Sequence, residues 1–306
     1  MTDPQDQAQD RVQYPARPDI LCIGAMLWDV IGRAPRRMAP GADVPGRIRH
    51  IPGGVALNVA VALARWGLRP AVLSAVGRDP EGEVLVTEAR RLGVVTDHLA
   101  RDTGLPTDTY MGIEDSEGLI AAIADVHSLE DAGTAILAAL DGALSGWTAP
   151  VVLDGNLTED LLAAIARDPR LAAADLRVVP ASPGKAERLE PLIAARRGCF
   201  YLNRLEAEIL AGRACPDAAT AAQGVVARGA ARVLVTDGPR PVAEAMAGAP
   251  TLTFAPPPVT VARVTGAGDC FLAAHLAAEL NHQPRDAALR QAVDAAAAHV
   301  SGKDVP

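Results

Sequence analysis

The chain has 306 residues, 49% of them hydrophobic, enough for one large domain or one domain with a small appendage. Its formal net charge is −8 with no basic block, which argues against nucleic-acid binding, and no uninterrupted apolar run is long enough to span a membrane. The four cysteines, Cys22, Cys199, Cys215 and Cys270, form no CxxC pair, and three lie in apolar stretches, as expected of reduced, buried thiols in a cytoplasmic protein.

In chain order, residues 1–19 are polar, lack the apolar core of a signal peptide and predict a disordered tail. "ILCIG" (Ile20–Gly24) predicts a strand that stops at a glycine, "GVALNVAVALARWG" (Gly54–Gly67) a helix and "AVLSAVG" (Ala71–Gly77) a second strand. The helix "EGEVLVTEARRLG" (Glu81–Gly93) follows, then strands "VVLDG" (Val151–Gly155), "RVVP" (Arg177–Pro180) and "GCFYLN" (Gly198–Asn203). The last feeds the helix "RLEAEILAG", and "RVLVTDG" (Arg232–Gly238) is one more strand. Continuous apolar strands alternating with helices predict an α/β protein with a mostly parallel, doubly wound sheet.

Two segments break this rhythm. Leu27 to Ile51 is rich in proline and glycine, and "TDTYMGIEDSEGLIAAIAD" (Thr107–Asp125) places two strand-like runs around a hairpin-type turn. Both fit a small β-sheet laid over the main domain, and both fit edge strands of the main sheet.

"RVTGAGDCFLAAHLAAEL" (Arg263–Leu280) is a buried helix from Cys270 onward, yet Gly266 and Gly268 sit in its first turn, where each costs roughly 1 kcal/mol relative to alanine. Glycines at a helix N-terminus let an anion approach unpaired N–H groups. Asp269 would repel a resting anion but suits a base that deprotonates an attacking hydroxyl. The plainer alternative is Thr265 as an ordinary cap with Asp269 complementing the helix dipole. A nicotinamide-dependent dehydrogenase would want GxGxxG after the first strand, and "GAMLWD" lacks it. The six histidines form no metal-spaced cluster.

"VTGAGD" resembles the signature of the ribokinase-like (PfkB) sugar and nucleoside kinases. "PGGVALNVAVALARWG" (Pro52–Gly67), "LSAVGRDPEGEVLVTEARRLGV" (Leu73–Val94) and "LNRLEAEIL" (Leu202–Leu210) resemble its other motifs, in order. The resemblance implies a Rossmann-type three-layer α/β domain over residues 20–306 with a small β-sheet lid, its segments at about 27–51 and 107–125. Within the family, "IAAIADV", the Asp-x-Asn of "VVLDGNL" and the Pro-x-Ser-x-x-Lys of "PASPGK" resemble the pseudouridine kinases, with other sugar or nucleoside kinases and a non-catalytic sugar binder as alternatives.

By resemblance, Asp269 is the base and Gly266, Ala267 and Gly268 supply N–H groups to the transferring phosphoryl. Asp29, Gly53, Gly54 and Asn58 take the acceptor, with Thr109, Asp125 and Asn156 as weaker candidates. Asn203, Thr236, Gly238 and Lys185 face ATP, with Ser182 nearby, and Glu206 holds a hydrated Mg²⁺. Trp28 and Trp66 read as packing residues. Three departures stand out: Pro241 in "TDGPRP" occupies a usual glycine position, the strand before "PASPGK" lacks the usual aspartate, and Arg263 stands where an Asp or Asn is common, which leaves a monovalent-cation (K⁺) site open. The expected partners are a small nucleoside or sugar and a second copy joined through the lid, with no nucleic acid and no membrane.

Overall fold

The structure is a computed structural model that describes residues 17–102 and 104–303, so most of the predicted tail lies outside the described residues. The chain runs β1 (Ile20–Ile23), β2 (Leu27–Arg33), β3 (Arg47–Gly53), α1 (Val55–Arg65), β4 (Pro70–Leu73) and α2 (Pro80–Arg91). It continues with β5 (Thr109–Asp115), β6 (Gly118–Asp125), α3 (His127–Ala132), β7 (Val151–Asp154), α4 (Glu159–Arg167), β8 (Leu176–Val179) and α5 (Glu190–Ala194). β9 (Cys199–Asn203), α6 (Arg204–Ala211), α7 (Ala218–Ala227), β10 (Arg232–Asp237), β11 (Arg240–Met246), β12 (Ala249–Phe254), α8 (Ala267–Leu280) and α9 (Arg285–Val300) complete it.

The main sheet has the order β12-β11-β10-β9-β8-β7-β1-β4. β4 to β10 pair in parallel, while β11 and β12 extend the sheet as antiparallel strands. All four residues of β1, β4, β7 and β8 are buried, because helices cover both faces. Alternate residues feed two cores. Leu21, Ile23, Leu153, Val178 and Phe200 pack on the side of α3 to α7, whereas Ile20, Cys22, Val152 and Tyr201 pack against α1, α2 and α8. Three layers result. The four cysteines are buried and free, and among the described residues no helix is long and apolar enough to cross a membrane.

The two arrhythmic segments form a second sheet of order β3-β2-β5-β6. β2 pairs antiparallel with β3 and parallel with β5, and "EDSEG" turns β5 into β6. Pairing register sorts its side chains into two faces. One row is Ile51, Asp29, Tyr110 and Ala124, facing the main domain; the opposite face carries His50, Val30, Met111 and Ile123, then Ile48, Gly32, Ile113 and Ala121.

Local chemistry starts the helices that border the site. Asp79 caps α2, its Oδ1 accepting from Gly82 N at 2.7 Å, with Pro80 in the first turn. α1 opens at Gly54, whose φ of +90° and close approach to the Ala25 carbonyl exclude any side chain. α8 is mostly apolar, with Asp269 in its first turn and His275 and Glu279 in its second half, and it packs between α1 and α9.

Candidate active site

A cleft of about 1330 Å³ lies between the small sheet and the carboxyl ends of the main strands, where ligands of open α/β sheets bind. Asp29 on β2, Gly54 and Asn58 on α1, Asn156 after β7, Ser182 and Lys185 after β8, and Gly266 and Asp269 of α8 all line it.

Asp29 lies at the inner end of β2. Burial pushes its carboxyl up to about 6. Gly53 makes room for it: a Cβ on Gly53 would sit 2.2 Å from Asp29 Oδ2. This glycine was expected to let a ligand approach the backbone; the structure shows that it admits the Asp29 carboxylate. We expect Gly53→Ala to displace that carboxylate and reproduce Asp29→Ala, weakening acceptor binding by about 10- to 100-fold, since a charge-assisted hydrogen bond contributes about 1.5–3 kcal/mol. Acceptor KM measured for both variants checks this, and an unchanged KM in either removes Asp29 from the acceptor site.

Asp269 is the third residue of α8, with Gly266 as the residue before the helix. Burial pushes its carboxyl up to about 7; a hydrogen bond with Asn58 opposes the rise, and the charges of Asp154 and Asp29 add to it. Gly266 has φ +83°, a left-handed conformation that favours glycine. A Cβ on Gly268 would meet nothing within 4 Å, so the helix start is open at this residue. The N–H groups of Gly266, Gly268 and Asp269 find no acceptor among the described residues. Ala267 differs from expectation: its N–H donates to the Val264 carbonyl at 3.1 Å, closing the turn that precedes the helix.

Lys185 Nζ donates to Asn156 Oδ1 at 2.7 Å, which brings two of the weaker candidates together. Burial, and then Arg188, push the Lys185 ammonium below its usual range. Thr109 and Asp125 behave otherwise. Thr109 pairs with Trp28 and Asp125, one residue out of phase with the Asp29–Tyr110 row, so strand alternation turns both away from the cleft. The Asp125 carboxylate engages His127 Nδ1 at 2.6 Å instead.

The remaining candidates gather further along the sheet edge. Asn203 and Thr236 are direct neighbours across β9 and β10, and Glu206 and Gly238 follow them in sequence. Asn203 and Glu206 form a reciprocal capping box on α6: Glu206 accepts from Asn203 N at 2.8 Å, and Asn203 Oδ1 accepts from Glu206 N at 2.9 Å. Burial pushes Glu206 up to about 7. Among the described residues no three His, Cys, Asp or Glu side chains converge as a metal cage. A magnesium ion fits here only with most of its waters and triphosphate oxygens retained, which is its ordinary habit. Pro241 sits where the β10–β11 pairing slips, so its missing N–H disturbs no ladder bond. Trp28 is a packing residue, its indole N–H donating to the Glu81 carbonyl at 2.9 Å.

Three residues of the site were not singled out from sequence. Tyr110 flanks Asp29 on the cleft face. Asp154, fully buried, accepts from Ala25 N at 2.8 Å, Ala56 N at 3.0 Å and Asn156 N at 2.7 Å, tying together the strand and helix ends that carry Asp29, Asn58 and Asn156. His299 of α9 touches the glycine turn at Thr265. An Asp-x-Asn after a strand was the visible signal for Asp154; nothing local marks the other two.

This sheet with its covering small sheet, and an acid set behind a glycine-opened helix start, define a small-molecule kinase of the ribokinase-like fold. The chain belongs to the pfkB family of carbohydrate kinases, whose family model matches residues 17–305. It is 31% identical over 258 residues to pseudouridine kinase of Escherichia coli K12, covering 83% of this chain and 81% of that protein. A carbohydrate kinase from Agrobacterium tumefaciens superposes with a TM-score of 0.76 at 29% identity, over 92% of this chain and 90% of that one. Arabidopsis thaliana ribokinase, solved with ribose and ATP, superposes with a TM-score of 0.73 at 19% identity, over 94% of each chain.

Proposed function

We propose that the protein is a cytoplasmic, ATP-dependent kinase that phosphorylates the 5′-hydroxyl of pseudouridine. The observation that carries this reading is the meeting of Asp269, Asn58 and Asp29 in one cleft, in a chain whose relatives include a pseudouridine kinase.

Asp29 accepts hydrogen bonds from the sugar diol, and Asn58 donates or accepts at a further hydroxyl. Tyr110 offers a flat face beside them. Asp269 takes the proton of the 5′-hydroxyl as its oxygen attacks the γ-phosphorus of ATP; the bond to the bridging oxygen breaks and ADP leaves. The N–H groups of Gly266 and Gly268 receive the charge developing on the transferring phosphoryl. Lys185 lines the same cleft, and Thr236 and Gly238 take the nucleotide at the β9–β10 edge. Magnesium, held through water by Glu206, would neutralise triphosphate charge when bound. A pure sugar binder would have no use for an acid behind two glycines.

A panel of acceptors tests the reading: ADP formation with MgATP and pseudouridine, uridine, adenosine, ribose or fructose. Pseudouridine is expected to give the highest kcat/KM. A higher value for any other acceptor overturns the substrate assignment, and no transfer to any of them overturns the reaction.

We also infer that two copies associate through the small sheets. The outer face carries Val30, Met111, Ile113 and Ala121, with Ile48 72% and Ile123 70% exposed, a largely apolar surface broken by His50, and among the described residues β3 and β6 form the sheet's two edges. Sedimentation at micromolar concentration is expected to give a dimer, and Ile123→Glu a monomer. A monomeric wild-type protein rejects this.

A further inference from the structure

His299 lies near the end of α9, 9% exposed, with both ring nitrogens engaged. Nε2 is 2.8 Å from the Thr265 carbonyl oxygen, and Nδ1 is 3.2 Å from Cys270 Sγ. A carbonyl only accepts, so Nε2 carries the proton; Nδ1 then accepts from the Cys270 thiol. Chemistry alone therefore selects one neutral tautomer. The ring also lies close against the glycine turn, since a Cβ on Gly266 would be 3.3 Å from His299 Nε2.

The consequence follows from peptide geometry. Every described peptide bond is trans, and in a trans peptide the C=O and N–H point in opposite directions. The Thr265 carbonyl and the Gly266 N–H belong to one peptide. With the carbonyl held toward α9, the N–H faces away from α9, and it finds no acceptor among the described residues. We propose that His299 is a positioning residue: by holding the Thr265 carbonyl it aims the Gly266 N–H into the cleft, toward the transferring phosphoryl group. This rests on the kinase reading above.

The surroundings keep the imidazole in that state. Burial lowers its pKa, as do the guanidinium groups of Arg263 on the loop and Arg65 on α1, against the bond to Thr265. Arg263 Nε donates to the His299 carbonyl at 3.0 Å, and the N–H groups of Ala262 and Arg263 donate to the Val300 carbonyl at 2.8 and 3.2 Å. The end of α9 is thus the mount on which the whole turn is set.

Two variants separate aiming from mere packing. His299→Leu fills the space without a donor, and His299→Gln restores a side-chain N–H. Losing one aligned donor of this kind lowers kcat by about 100- to 1000-fold, so a partly misaimed one is expected to lower it by about 10- to 100-fold. His299→Leu should therefore lose kcat by that factor with acceptor KM within twofold, and His299→Gln should regain most of it. Full kcat in folded His299→Leu overturns the proposal, as does a matched rise in KM. If His299→Leu does not fold, His299→Gln decides alone: within about fivefold of wild type sustains the proposal, and a deeper loss overturns it. Wild-type protein without transfer to any acceptor overturns both this and the kinase reading; wild-type turnover with His299→Leu unimpaired overturns this one alone.

Discussion

Asp269→Asn is expected to lower kcat by about two to four decades, the usual worth of a positioned base. Size and helix start are preserved, and binding of ATP and acceptor should change little, because positioning groups elsewhere are untouched. The carboxyl titrates near 7 through burial, so wild-type kcat/KM should rise with pH through about 7 as the base loses its proton, and the variant should lack that limb. Stability should move the other way. A carboxyl whose folded pKa lies above its unfolded value stabilises the fold below the unfolded value and loses that contribution as pH rises through the folded one. The Asn variant escapes this loss, so its melting temperature should exceed wild type at pH 8 by more than at pH 5. Gly268→Ala belongs with it. A methyl group there meets open space within the protein, gaining helix propensity of roughly 1 kcal/mol, yet it occupies the approach of the phosphoryl group. Greater stability with slower turnover is the expected pair of results. Near-normal turnover in Asp269→Asn would reduce the glycines and the acid to a helix start.

Asp154→Ala is expected to be the most destabilising single change near the cleft. Among the described residues its carboxylate is the one partner of the N–H groups of Ala25, Ala56 and Asn156, the first two fully enclosed in the core. Burial pushes the Asp154 pKa up, against these three bonds and the charge of Lys185. An orphaned buried donor costs about 1–3 kcal/mol, so the sum after partial relaxation is about 3–5 kcal/mol. For a chain of this size that lowers the melting temperature by about 6–15 °C. Acceptor KM should rise as well, because the three N–H groups belong to the segments that carry Asp29, Asn58 and Asn156. Asp154→Asn keeps the volume and one acceptor oxygen and should fall between. Gly24→Ala should resemble it, since a Cβ on Gly24 would lie 2.3 Å from the same carboxylate. Thermal melts of the three variants check the order, and an Asp154→Ala melt within 2 °C of wild type would contradict it.

What could be seen in sequence follows from how each feature is encoded. β1, β4, β7, β8 and β9 are short apolar runs closed by turn residues, so they declare themselves locally. β11 and β12 do not: they are partly exposed antiparallel strands with a bulge and a proline, and residues 240–254 show no clear period. The cleft residues Asp29, Asn58, Asn156 and Asp269 stand beside glycines or strand ends and were visible for that reason. The sequence points to Thr109 where the structure turns Tyr110 to the cleft, because a one-residue difference in register flips the strand and register is set by pairing with β2. Gly53 looked like a ligand contact because a glycine does not announce which neighbour it admits. His299 is 34 residues from the carbonyl that it holds, and the two are joined by tertiary contacts between the end of α9 and the turn before α8, which no local pattern marks.

The most direct test of the account is the structure of the product. Wild-type protein is incubated with MgATP and pseudouridine, and the product is examined by ³¹P NMR with proton coupling. The account predicts one phosphomonoester whose phosphorus couples to the two C5′ protons, formed in step with ADP. Phosphate on another hydroxyl, or ADP released with no phosphorylated nucleoside, would contradict it.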